Sequence, residues 1–183
     1  MKFISTPLEG LLIIEPRVFA DERGFFYESF NEQVMMEHGI KRPFIQDNQS
    51  VSHKGVLRGL HFQVPPYQQG KLIRVVNGGV LDIVVDIRRN SPTYGKHFSI
   101  ELHARENKML WIPEGFAHGF IALEDHTVFL YKVTQYYNPS SESGIIYNDS
   151  ELKLDWKNNA PLVSSKDKIL PTFKEFSDKN VTI

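Results

Sequence analysis

Cysteine is absent from all 183 residues. That removes disulfides, thiolate nucleophiles and cysteine-ligated metals from consideration. No apolar run approaches the roughly 18 residues of a membrane-spanning helix, and the opening MKFISTPLEG lacks the long apolar core of a secretory signal. A cytoplasmic location without a membrane partner is therefore expected. An excess of one charge is missing too. Twenty-one Lys and Arg face 22 Asp and Glu, a net charge of −1. A polybasic surface for nucleic acid or anionic lipid is thereby excluded. Internal repeats, low-complexity segments and linkers are also lacking, and the length suits one domain over 1–183.

What is present favours strands. Aromatic residues make up 12% of the chain, while apolar residues at helical spacing are scarce. Leu11 to Ile14 reads as a first strand ended by Pro16, and Asp21 to Gly24 as a turn before Phe25-Phe26-Tyr27. One helix is expected near Phe30 to His38, with Ser29-Phe30-Asn31-Glu32 as its capping box and Gly39 beyond its end. Short strands then follow at 71–76, 80–87, 97–102, 109–112, 116–123 and 127–135, with a hairpin expected at Asn77-Gly78-Gly79. The tail after Tyr136 reads as loops covering the strands. The fold expected is mainly β: an antiparallel barrel or jelly roll with a few short helices, its core at about 45–135.

Strand parity then exposes an anomaly. Leu81, Ile83, Val85 and Ile87 share one face of their strand, and Asp82 and Asp86 share the other with Val84. His61 and Gln63 share a face, His118 lies with Phe116 and Phe120, Tyr131 with Phe129 and Val133, and Lys71 with Ile73 and Val75. One polar residue on an apolar face is usually a satisfied core residue. Four on the strands of one small barrel point to a shared site. Their spacing resembles the two cupin motifs. Gly55, five residues, His61-x-Gln63, Lys71, six residues and Gly78 parallels the first, and Pro113-Glu114-Gly115-Phe116-Ala117-His118 the second. In metal-binding cupins the corresponding positions are two histidines, a glutamate and a third histidine. Here they are His61, Gln63, Lys71 and His118. An amide is a weak ligand and an ammonium is none, so no metal site is expected.

Longer stretches resemble the dTDP-4-dehydrorhamnose 3,5-epimerase family: DERGFFYESF (21–30), QDNQSVSHKGVLRGLHFQ (46–63), GKLIRVVNGGVLDIVVDIRRNSPTYG (70–95), WIPEGFAHGF (111–120), YKVTQYYNP (131–139) and SSKDKILP (164–171). The resemblance implies inversion at C3 and C5 of dTDP-4-dehydro-6-deoxy-D-glucose, in dTDP-rhamnose biosynthesis. It implies a homodimer and no cofactor. It implies His61 as base, Asp167 as its partner, Lys71 at the enolate oxygen and Tyr131 as proton donor on the opposite face. Substrate contacts carry over to Arg23, Phe26 and Glu28, in part reaching the partner subunit's site, to Gln46 and Asn48 near the thymidine, and to Arg58 at the phosphates. Tyr137, Glu142 and Lys166 match further contacts.

The residue types suit this chemistry. Protons beside a ketone leave an enolate, and histidine is a base near neutral pH. A tyrosine donor works better beside a cation, for which His118 or Lys71 is expected. Simple alternation turns Arg58 away from His61, unless Gly59 hosts a bulge. Three alternatives stay open: an epimerase acting at one centre or on a related nucleotide 4-keto-6-deoxysugar, a metal-dependent cupin, and a non-catalytic sugar-binding cupin.

Overall fold

Several strands are apolar on both sides and buried at every residue, so the chain needs two apolar layers to cover them. The computed structural model describes residues 1–179, and the last four residues of the expected domain lie outside the described residues. In chain order the elements are β1 (Lys2–Ser5), β2 (Leu12–Glu15), β3 (Val18–Asp21), β4 (Gly24–Tyr27), helix α1 (Glu32–Glu37), β5 (Gln46–Ser52), β6 (Val56–Gln63), β7 (Lys71–Asn77) and β8 (Gly79–Asp86). Then come β9 (His97–His103), β10 (Met109–Ile112), β11 (Phe116–Ala122), β12 (Thr127–Val133), β13 (Glu142–Gly144), β14 (Leu162–Val163) and helix α2 (Phe173–Asp178). One sheet runs β1-β2-β10-β7-β12-β5, and the second runs β13-β6-β11-β8-β9, with β14 joined in parallel to β6. Strands β3 and β4 form a separate hairpin. The mainly-β antiparallel architecture matches the expectation.

Inner faces of both sheets meet in one core. Ile73, Val75, Leu110, Ile112 and Phe129 from the first sheet pack with Val80, Val84, Leu102, Phe116 and Phe120 from the second. The outer face of the second sheet is buried as well. Leu57, Leu60, Leu81, Ile83 and Val85 pack there beneath Ile145, Trp156, Phe173 and Phe176 of the C-terminal segment. That is why β8 is buried along its whole length. The tail is thus the second layer of a core, held by its own elements. Helix α2 begins at a capping box in which the Thr172 side chain accepts from the Glu175 backbone N–H and Glu175 returns the bond.

Three local expectations are corrected. The first helix is capped by Asn31, whose Oδ1 accepts from Val34 N–H at 3.2 Å, and not by Ser29. Phe30 stays outside it because its ring packs edge-on against Phe44. Polar β5 and the short β1 and β3 lack apolar alternation and add to the expected strands. Asn77-Gly78-Gly79 is not a hairpin turn. Strand β7 lies in the first sheet and β8 in the second, so the turn is a corner that carries the chain across the sandwich. Gly78 sits at φ +75°, and a Cβ there would run into the Thr127 side chain.

Gly78→Ala is therefore expected to lower stability by roughly 1–3 kcal/mol through crowding and backbone strain. Urea unfolding followed by far-UV circular dichroism measures it. An unchanged midpoint would contradict the corner geometry.

Candidate active site

The polar residues singled out by strand parity converge between the sheets. A cavity of about 540 Å³ opens there, with Arg58, His61, His118 and Phe120 on the second sheet and Gln49, Ser50, Lys71, Phe129 and Tyr131 on the first. Glu142, Ser164, Lys166 and Asp167 complete its rim and floor.

His61 is fixed by a residue from the far end of the chain. Its Nε2 lies 2.7 Å from Asp167 Oδ1. Asp167 starts a short 3₁₀ turn, and Ser164 Oγ accepts its backbone N–H at 3.0 Å. Asp167 Oδ2 takes the Gly59 N–H at 3.3 Å. Burial works to raise the Asp167 carboxyl, but the bond and charge of His61 and the bonds from Gly59 and Ser164 hold it below the usual carboxylate range. An ionised carboxylate only accepts, so Nε2 of His61 carries the proton and Nδ1 is left with its lone pair. The imidazole side chain is about one-third exposed to the cavity.

Arg58 reaches the same cavity although alternation opposes it. Strands β6 and β11 pair His118 with His61 but Phe120 with Arg58, so the register slips by one residue between them. Gly59 carries the irregularity at φ +126°, and a Cβ there would lie 2.5 Å from Gly119 Cα. Arg58 Nε then donates to Ser52 Oγ at 3.2 Å. This is the expected bulge.

Lys71 is buried, and its Nζ donates to the His61 carbonyl at 3.3 Å. Burial draws its ammonium down to about 8, against the opposing fields of Asp82 and Glu142. It remains mostly charged at neutral pH. Burial likewise lowers His118, with Lys71 and His61 adding to the effect and Asp82 opposing it. Burial raises the Tyr131 phenol, and the charge that opposes this is Arg58. The cation expected beside Tyr131 was His118 or Lys71. The charge that reaches the phenol is instead Arg58, which the slip at Gly59 turns into the cavity.

At the mouth, Lys166 Nζ lies 2.6 Å from Glu142 Oε2, and Tyr137 OH donates to the same oxygen at 2.7 Å. Gln46 Oε1 accepts from the Tyr137 N–H at 3.1 Å, and Gln46 Nε2 donates to Asn48 Oδ1 at 2.9 Å. Gln46 and Asn48 share their strand face with Ser50 but do not line the cavity. Arg23, Phe26 and Glu28 are not brought to it either. They lie on or just after the β3–β4 hairpin, where Phe26 is 70% exposed and Arg23 is tied to Asp21 at 2.5 Å.

Sequence reasoning missed one buried partner. Asp82 Oδ2 lies 2.8 Å from His118 Nε2, deep in the core. A carboxylate on the same strand face as Val84 was the available signal. Asp86, its companion, is structural, bonded by Arg88, Ser91 and Thr93. Gln63 is structural as well. Its Nε2 donates to the carbonyls of Tyr67 at 2.6 Å and Tyr136 at 3.2 Å, and its Oε1 accepts from Asn138 N–H at 2.7 Å. The position that is a metal histidine in other cupins here pins the loop at the cavity mouth. Among the described residues, no group of three or more His, Asp or Glu side chains could hold a metal ion.

The sequence model of the dTDP-4-dehydrorhamnose 3,5-epimerase family matches residues 5–175. The chain belongs to that family. Among curated relatives, the dTDP-4-dehydrorhamnose 3,5-epimerase of Shigella flexneri is 52% identical over 168 residues, which covers 91% of this chain and 93% of that one. The epimerase crystal structure from Elizabethkingia anophelis superposes with a TM-score of 0.92 at 46% identity, covering 96% of this chain and 97% of that one. An epimerase from Legionella pneumophila, solved in complex with dTDP-4-keto-L-rhamnose, superposes with a TM-score of 0.93 at 44% identity, covering 98% and 96%. As in the rest of the epimerase family, this chain is read as an isomerase. Among the described residues no helix is long and apolar enough to cross a membrane.

Gln63→Ala should lower stability by roughly 1–3 kcal/mol, the loss of buried hydrogen bonds. Exhaustive chelation should leave activity unchanged. Chelator-sensitive turnover would contradict the metal-free assignment.

Proposed function

We propose that the protein inverts C3 and C5 of dTDP-4-dehydro-6-deoxy-D-glucose, giving dTDP-4-dehydro-L-rhamnose, by metal-free proton transfer. The observation that carries this is the arrangement of acid, base and cation. His61, oriented by Asp167, sits on one sheet and Tyr131 on the other, with buried Lys71 in the cavity between.

A proton on C3 or C5 is acidified by the C4 ketone. His61 Nδ1 takes it, and the electron pair moves into an enolate with its charge on O4. The Lys71 ammonium, held in a water-poor interior, stabilises that oxygen where its field is strongest. Tyr131 then delivers a proton to the opposite face of the carbon. Burial keeps its phenol protonated until that moment, and Arg58 tempers the phenolate that remains. Solvent exchange returns the proton from His61 to Tyr131. The same pocket serves both carbons, because they flank one ketone.

Arg58 is placed at the diphosphate in this reading, with Tyr137, Glu142, Lys166, Gln46 and Asn48 on the nucleotide side of the mouth and His118 on the sugar. Arg23, Phe26 and Glu28 act in trans. The exposed rings of Phe25, at 62%, and Phe26, at 70%, support this, since an isolated hairpin gains nothing from displaying them. The working unit is then a homodimer, and its setting the cytoplasm.

Conversion is followed by proton NMR of the sugar. His61→Ala should slow it roughly 10²–10⁴-fold, the usual contribution of a positioned base. Tyr131→Phe should retain exchange of the proton His61 removes while blocking inversion. Undiminished inversion in Tyr131→Phe would overturn the donor assignment. For pH, the sign follows from Lys71, which is charged below about 8 and neutral above it. Turnover should therefore fall about tenfold per pH unit above that value, and Lys71→Met should lose the dependence along with most activity. A wild-type profile flat to pH 10 would contradict the role given to Lys71. Sedimentation should show a dimer, and Arg23→Ala should weaken substrate binding. A fully active monomer would remove the cross-subunit contacts.

A further inference from the structure

Asp82 has no place in the proton transfers described, yet it is the most deeply buried carboxylate beside them. Its side chain is wholly buried on the inner face of β8, where Val80 and Val84 flank it, and Phe120 and Ile100 are its neighbours across the sheet. An apolar residue would fill that position at lower cost, because a buried charge without full hydrogen bonding is expensive. Only half of the carboxylate is satisfied. Oδ2 meets His118 Nε2 at 2.8 Å, whereas Oδ1 has no hydrogen-bond partner among the described residues.

The nearby buried cation is Lys71, whose Nζ reaches the carbonyl of His61, the residue paired with His118 across β6 and β11. Among the described residues Lys71 has no ion-pair partner within contact distance; its one hydrogen bond goes to a carbonyl. The charged and titratable groups around it are Asp82 on β8, Arg58 and His61 on β6, His118 on β11, Glu142 on β13, Lys166 and Asp167 of the C-terminal segment and, on its own sheet, Tyr131 on β12. Of the three carboxylates, Asp167 is spent on His61 and the Gly59 N–H, and Glu142 on Lys166 and Tyr137 at the open mouth. Its field on Lys71 is screened there by solvent. Asp82 acts through the dry interior, where the same charge reaches further.

Asp82 also decides what His118 presents. Since a carboxylate only accepts, the His118 Nε2 carries the proton and its Nδ1 is a lone pair turned toward the cavity. His118 is then an acceptor for a sugar hydroxyl, which agrees with the lowering that burial imposes on it.

We propose that Asp82 is a positioning residue with two effects: through Oδ2 it sets His118 as a neutral acceptor toward the sugar, and through its uncompensated charge it keeps Lys71 an ammonium where the enolate oxygen forms. The inference rests on the epimerase reading given above, and it adds a second carboxylate to the one that orients His61.

Asp82→Asn tests it, because asparagine keeps the shape and an acceptor for His118 while removing the charge. The alkaline limb of turnover should move about one unit below that of the wild type. The variant should lose about sixfold more activity at pH 8.5 than at pH 6.5 relative to wild type, with KM little altered. Loss by the same factor at every pH, or an unmoved limb, would overturn the proposal and leave a packing role. Failure of the wild type to epimerise would instead defeat the epimerase reading. A measurement on the wild type needs no variant. Nitrogen-15 NMR of His118 should show the neutral Nε2–H tautomer between pH 6 and 8. An imidazolium or an Nδ1–H tautomer there would equally overturn it.

Discussion

A single hydrogen bond, 2.7 Å from His61 Nε2 to Asp167 Oδ1, joins residues 106 positions apart and organises the site. It requires the C-terminal segment to lie against β6, which it does because Ile145, Trp156, Phe173 and Phe176 bury the outer face of the second sheet. It requires β6 to present His61 inward while Leu60 and Phe62 point out into that layer. It also requires the backbone at Gly59 to offer its N–H to the same carboxylate. The glycine that allows this lets Arg58 turn into the cavity. The His61 imidazole, its Asp167 partner and the Arg58 guanidinium are therefore gathered around one local irregularity in one strand.

Burial supplies the rest of the chemistry. A lysine in water would hold its proton far above neutral pH; inside this sandwich it falls to about 8. That is still high enough for the ammonium to dominate at neutral pH. The same burial raises the Tyr131 phenol and lowers the His118 imidazole, so both favour their neutral forms. The cupin frame is thus kept while the means of holding a metal are lost. Gln63 is committed to three backbone groups, and Lys71 stands where a carboxylate ligand would be.

Much of this was legible in the residues. Alternation along 80–87 and 116–123 placed both strands and both faces, and the unusual polar residues on those faces marked the cavity. What was hidden was hidden for physical reasons. Strand β5 reads as Gln-Asp-Asn-Gln-Ser-Val-Ser, with no apolar face, because its inward residues sit beside a polar pocket and not an oily core. Asn77-Gly78-Gly79 has the chemistry of a tight turn, and a corner between sheets needs that same chemistry. Thr172 to Glu175 carried a capping-box signal that the polar tail around it obscured. Asp82 stood out only as a carboxylate sharing a strand face with Val84 and Asp86, and the pairing of β8 with β11 is what brings it to His118. The cation beside Tyr131 could not be chosen from parity alone, since the slip at Gly59 decides it.

In the proposed reaction one pocket removes and returns protons on both carbons beside a ketone. Turnover in deuterated water, with the product examined by NMR, reads this directly. Deuterium at both C3 and C5, with both centres inverted, is the expected result. Deuterium at one carbon only would contradict it and assign the protein to single-centre epimerisation.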